Sequence, residues 1–140
     1  VPVRRDGGSV CVSHLLLSRA SASATRVVVD VSKQRAYLLV GGQVAVETPI
    51  STARSGKRTP RGSFTITERV RSNKYSTIYG VEMPYWMRLD NTVFGLHAGH
   101  LPGSPASAGC IRIHPCAAPL IFDHTRRGTR VDIYSSWSGR

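Results

Sequence analysis

Cys110 stands where a glycine- and proline-rich loop runs into an apolar strand, in the sequence Ser107-Ala108-Gly109-Cys110-Ile111-Arg112. A thiol in that position is suited to nucleophilic chemistry when a base lies within reach. His97 ends another apolar strand upstream. If the two strands are neighbours, imidazole and thiol approach hydrogen-bond distance, and a His-paired thiol loses its proton more readily than a free one near about pKa 8.5. Gly109 lets the backbone approach a ligand or adopt positive φ. Consecutive N–H groups at such a turn converge on an oxyanion. The same residues admit a plainer reading, since a free cysteine is often a small core residue. Spacing alone does not choose between the two.

The remaining cysteines and histidines narrow the chemistry. The chain has three cysteines, Cys11, Cys110 and Cys116. The odd count leaves at least one thiol free or paired with another chain. Cys116 reads as a core thiol, with a Cys110–Cys116 or Cys11–Cys116 disulfide as the alternative; the former would silence Cys110. There is no Cys-x-x-Cys pair, and His100 and His114 fall into no ligand-like spacing with His97 or Cys116, so no metal is expected. His14 and His124 read as surface residues. A thiol, an imidazole and loop N–H groups call for no cofactor.

The elements that must position these groups read mainly as strands. The segments 26–31, 36–40, 43–50, 62–69, 82–89, 93–97 and 129–134 are β-branched or alternate apolar with polar residues, and Gly41-Gly42 marks a two-residue hairpin turn. Residues 51–60 and 98–109 read as loops. One helix is expected at 119–127, with Pro119 in its first turn and Gly128 as its stop. Many strands, one short helix and no βαβ alternation predict a mainly β domain, specifically a β-sandwich of mixed, mostly antiparallel strands.

Residues 1–24 differ in character. Arg4 and Arg5, a short apolar stretch and then Ala20-Ser21-Ala22-Ser23-Ala24 mimic an export signal. They read as an N-terminal arm or export-signal remnant ahead of a domain at 25–140. The 140 residues suit a single domain, and no apolar run approaches a membrane span. Nineteen Lys and Arg against eight Asp and Glu give a net charge of +11, which favours anionic partners. The basic residues are scattered from Arg4 to Arg140 and no nucleic-acid motif accompanies them, so nucleic acid is not the expected partner.

Several ordered motifs resemble one family. Gly95-Leu96-His97-Ala98-Gly99, followed by residues 102–112 ending in Ser107-Ala108-Gly109-Cys110-Ile111-Arg112, resembles the active-site signature of the YkuD-type L,D-transpeptidases. Val28-Val29-Asp30-Val31 with Gln34-Arg35-Ala36-Tyr37-Leu38 resembles that family's opening hairpin. Pro49-Ile50-Ser51-Thr52 and Thr59-Pro60-Arg61-Gly62-Ser63-Phe64 resemble its "pvStG…TPxGxF" segment. Met83-Pro84-Tyr85-Trp86-Met87 is similar to its cleft strand, and Gly128-Thr129-Arg130-Val131 to its closing strand.

The resemblance implies Cys110 as nucleophile, His97 as general base, the Ala98 carbonyl as the group orienting the imidazole, and the N–H groups of Ala108, Gly109 and Cys110 as the oxyanion hole. Arg112, Ser107, Tyr85 and Trp86 would contact substrate, Arg112 alternatively holding the motif loop. Ala108 departs from the pattern, which places a His there. The implied activity is peptidoglycan 3→3 cross-linking through a Cys thioester with release of terminal D-Ala. The alternatives are L,D-carboxypeptidation or a non-catalytic peptidoglycan-binding module. A polyanion-binding protein with a structural Cys110 is a further rival. The implied partners are peptidoglycan stem peptides, the protein acting as an exported monomer in the periplasm or cell envelope, in cell wall biogenesis and cell shape, and as a carbapenem target.

Overall fold

A computed structural model describes residues 2–5, 9–76 and 80–139. Residues 1, 6–8, 77–79 and 140 lie outside it, Arg140 among them. The strands are β1 (Pro2–Arg5), β2 (Ser9–Val12), β3 (Thr25–Asp30), β4 (Arg35–Val40), β5 (Gln43–Ser51), β6 (Gly62–Val70), β7 (Trp86–Leu89), β8 (Gly95–Ala98), β9 (Ile111–Ile113) and β10 (Arg130–Tyr134). Two short helices, α1 (His14–Ser18) and α2 (Ala118–Asp123), and a 3₁₀ turn at Ala22–Ala24 complete the described elements.

β3, β4 and β5 form an antiparallel meander. Gly41 and Gly42 both take positive φ, 57° and 83°, as a tight hairpin turn demands, and place Val40 opposite Gln43. β3 pairs in parallel with β10, which pairs antiparallel with β6; β6 pairs with β7 and β7 with β8, and β8 runs parallel to β9. β9 then returns to β5, with Ile50 opposite Ile113 and Ser51 opposite Arg112. That last pairing closes a ring of eight strands, β5-β4-β3-β10-β6-β7-β8-β9.

The expected β-sandwich is therefore corrected to a closed β-barrel. The mainly β composition and mixed pairing were legible, but closure rests on a short pairing between strands some sixty residues apart, which no local pattern encodes. The helix expected at 119–127 is α2, and it stops at His124. There Thr125 turns its hydroxyl back to the Ile121 carbonyl at 2.9 Å, and the Arg126 N–H is taken by Thr129.

One core cluster fills the barrel, with Val27, Val29, Leu38, Val46, Ile66, Met87, Leu89, Leu96, Ile111, Ile113, Val131 and Ile133 buried beside Ile121 and Phe122 of α2. A smaller cluster of Val28, Tyr37 and Leu39 on the other face of β3–β4 is covered by Trp137, whose ring lies 4.9 Å from that of Tyr37. Residues 9–24 pack on the same body. β2 pairs with the first half of β5, and Val10, Val12 and Leu17 join the main core. β5 thus shares one edge between β2 and β9.

Candidate active site

The β8–β9 register brings the expected pair together. His97 lies opposite Arg112 and Leu96 opposite Ile111 in the parallel ladder. Leu96 and Ile111 are buried in the core. Side chains alternate faces along a strand, so His97, Arg112 and Cys110 share the other face. The position beside Cys110 on β8 is Gly95, whose backbone favours the ionised thiol. Only glycine fits there: a Cβ would meet the Met87 carbonyl oxygen at 2.5 Å and the Trp86 ring at 2.7 Å. With no side chain at 95, the imidazole is the next group along that face.

His97, Cys110 and Arg112 line a cavity of about 700 Å³ together with Met83, Trp86, Phe94, Ala98, His100, Ser107 and Ala108, a size that suits a small peptide. Val81 and Val93, 56% and 77% exposed, lie on its open side and Glu82 adds a carboxylate. Sequence reasoning placed Glu82, Val93 and Phe94 in the strand segments 82–89 and 93–97 and gave neither them nor Val81 a place in the site. Val93 and Phe94 directly precede β8, which pairs with both β7 and β9 and so brings them towards Cys110.

His97 Nδ1 donates to the Ala98 carbonyl at 2.8 Å, which leaves Nε2 as the acceptor nitrogen. Burial lowers the imidazole's pKa, the Arg112 charge adding to this and the Ala98 carbonyl opposing it. Burial pushes the Cys110 thiol up, outweighing the Gly95 N–H and the charges of Arg112 and Arg88. The resting pair is thus neutral thiol and neutral imidazole. For the thiol, desolvation of the thiolate is the largest influence.

The motif loop is braced by its own side chains. Ser107 Oγ donates to the Cys110 carbonyl at 2.6 Å and accepts the Gly109 N–H at 3.0 Å. The Gly109 N–H is therefore engaged, and the Ser107 hydroxyl serves the turn. Among the described residues the N–H groups of Ala108 and Cys110 form no hydrogen bond. Arg112 crosses the loop, donating to the carbonyls of His100 at 3.4 Å and Ala106 at 3.3 Å, its aliphatic stem against Gly99. The Pro49–Thr52 and Thr59–Phe64 motifs hold the same loop from beneath. Ser51 Oγ donates to the Ser104 carbonyl, the Thr52 carbonyl accepts from Ala106 and Ser107, and Thr59 Oγ1 donates to the Gly109 carbonyl at 2.8 Å.

Trp86 lines the cavity 6.2 Å from the His97 ring and is fixed by its indole N–H on Glu68 at 2.8 Å. Tyr85 does not line it. A φ of 57° carries Tyr85 to Phe122 of α2, with ring centroids 5.4 Å apart. His114 accepts the Cys116 N–H, and His124 donates to the Leu120 carbonyl. Among the described residues no disulfide joins Cys11, Cys110 and Cys116, and no group of metal-ligating side chains forms. Among the described residues no helix is long and apolar enough to cross a membrane.

A cavity on the face away from the core, holding a thiol, an imidazole on the adjoining strand and, among the described residues, two unengaged loop N–H groups, has the parts that thiol-based acyl transfer requires. The family model for the YkuD, L,D-transpeptidase catalytic domain matches residues 24–133, and the chain belongs to this family. The YkuD proteins of Bacillus licheniformis and Bacillus subtilis are 28% identical to it over 111 and 110 residues, 77% and 76% of this chain. The chain spans 64% of the length of each. An L,D-transpeptidase structure from Xylanimonas cellulosilytica is 26% identical with a TM-score of 0.72, over 81% of this chain and 62% of that one. LdtMt1 in complex with imipenem, 21% identical, shares the fold at a TM-score of 0.74 over 79% of this chain and 59% of that one.

Proposed function

We propose that residues 25–140 form a cysteine-dependent peptidoglycan L,D-transpeptidase domain, with 1–24 as a preceding arm whose residues 9–24 dock on it. The observation that carries this is the shared face of Cys110 and His97 in one cavity that Ala108 also lines. His97 Nε2 takes the Cys110 proton as the sulfur attacks the carbonyl of the L-centre diamino residue, third in a tetrapeptide stem. The tetrahedral oxyanion is met by the Cys110 and Ala108 N–H groups. On collapse, the imidazolium returns the proton to the departing amine of terminal D-Ala, leaving a thioester. The amine of a second stem then attacks, His97 takes its proton, and the released sulfur recovers it as a thiol. The product is a 3→3 cross-link. Water in place of the amine gives carboxypeptidation.

Relatives' structures support a covalent step. Ldtfm, 26% identical, has been solved as an avibactam carbamoyl enzyme, and an Enterococcus faecium L,D-transpeptidase, 25% identical, with a cysteine changed to serine. A peptidoglycan substrate implies export to the periplasm or cell envelope. The test is one purified tetrapeptide-stem substrate, with tripeptide and cross-linked dimer counted by mass. Dimer formation with D-Ala release, lost in Cys110→Ala, is the expected result. Binding without turnover would instead favour the wall-binding module.

A further inference from the structure

The Gly109–Cys110 peptide is gripped by a side chain that acyl transfer does not itself use. Thr59 is 2% exposed; its Oγ1 donates to the Gly109 carbonyl at 2.8 Å and accepts the Ala53 N–H at 3.0 Å. Both the donor and an acceptor site of the hydroxyl are occupied, so its direction is fixed. A trans peptide is planar, with C=O and N–H pointing opposite ways. The carbonyl held by Thr59 therefore sends the Cys110 N–H away from Thr59. Thr59 does not line the cavity and Cys110 does.

The grip matters because Gly109 cannot orient this peptide by itself. Its φ is +145°, and a Cβ would meet the Phe94 ring at 2.2 Å and the Arg58 carbonyl oxygen at 3.3 Å. Glycine is obligatory there, and glycine is also the residue least able to hold a peptide plane in one orientation. From these contacts we infer that Thr59 is a positioning residue: its hydroxyl aims the Cys110 N–H at the oxyanion of the acylation step. The inference rests on the acyl-transfer reading and extends it to a residue fifty positions from the nucleophile's loop.

Two reactions at the same sulfur separate this role from a general brace. Acylation by imipenem builds an oxyanion; alkylation by iodoacetamide displaces iodide from a saturated carbon and builds none. Both need the thiol and its base. Thr59→Val should slow imipenem acylation by about 10- to 100-fold, short of the 10²–10³ of complete donor loss. The loss should fall on bond formation and not on binding, and the alkylation rate should stay near wild type. Thr59→Ser, which keeps the hydroxyl, should restore acylation. If Thr59→Val does not fold, Thr59→Ala takes its place with the same paired rates. Unchanged acylation overturns the inference, as does an equal fall in both reactions or a failure of Thr59→Ser to rescue. A wild-type Cys110 that alkylates but forms no acyl adduct overturns the acyl-transfer reading itself.

Discussion

His97 carries a strand position, a backbone hydrogen bond and a burial that all act on one proton. With Nδ1 committed to the Ala98 carbonyl and burial holding the pKa below the ordinary value of about 6.5, the ring is neutral at pH 7. It stays neutral further into acid than a solvated histidine. A depressed base keeps its unprotonated form until pH falls through the lowered value, so the acid limb of Cys110 acylation should have its midpoint below pH 6.5. A midpoint above that value would show that burial does not control the group. His97→Ala should slow acylation by about 10²–10⁴-fold with the thermal unfolding midpoint preserved, whereas His124→Ala should change little. Stopped-flow acylation with each variant checks both. Cys110 and His97 were legible in the sequence because their motif is local. Thr59 and Gly95 lay within quoted motifs, but their purpose was not readable. The Gly109 carbonyl that Thr59 holds belongs to another loop, and the space Gly95 leaves is for a ring and a thiol on adjoining strands.

Among the elements, β10 shows how the sheet tolerates a buried charge. Asp132, 1% exposed, accepts from Arg26 at 2.6 Å, Ser63 at 2.6 Å and Arg130 at 2.8 Å. Burial pushes its pKa up, but the hydrogen bonds and the two guanidinium charges outweigh this and hold it below the usual range. A depressed carboxylate lends stability above its unfolded pKa of about 3.9, and that stability is lost as pH falls through the folded value. Asp132→Asn should therefore cost about 1.5–3 kcal/mol at neutral pH and shrink the loss of stability on acidification. Urea unfolding at pH 7 and pH 3 measures both; equal losses at the two pH values would contradict the charge argument. Strands β3 to β6 were legible from alternation and from Gly41-Gly42. β1, β2 and α1 were not, since Val10, Val12 and Leu17 look like a signal segment until β5 supplies an edge and a core to receive them.

For the molecule as a whole, the cavity stands at the seam where the barrel closes. β5 meets β9 only through Ile50–Ile113 and Ser51–Arg112, extended by the loop pairing of Ala53 with Ser107. β3, by contrast, is in register with β4 from Thr25 to Asp30 and with β10 on its other side. Short pairings open at lower free energy than long, buried ones. Hydrogen exchange should therefore appear first at 111–113 and 50–53 and last at 27–29. The reverse order would mean that the seam is not the weak joint. This closure is what turned an expected sandwich into a barrel, because it depends on where a three-residue strand lands and not on any pattern within that strand.

The most direct test of the central assignment is the site of covalent capture. The protein is incubated with imipenem, its intact mass recorded, and the adduct located by peptide mapping, for wild type and Cys110→Ala. The expected result is a single acyl adduct on the peptide carrying Cys110, absent from the variant. An adduct on Cys11 or Cys116, or one that persists in Cys110→Ala, would contradict it.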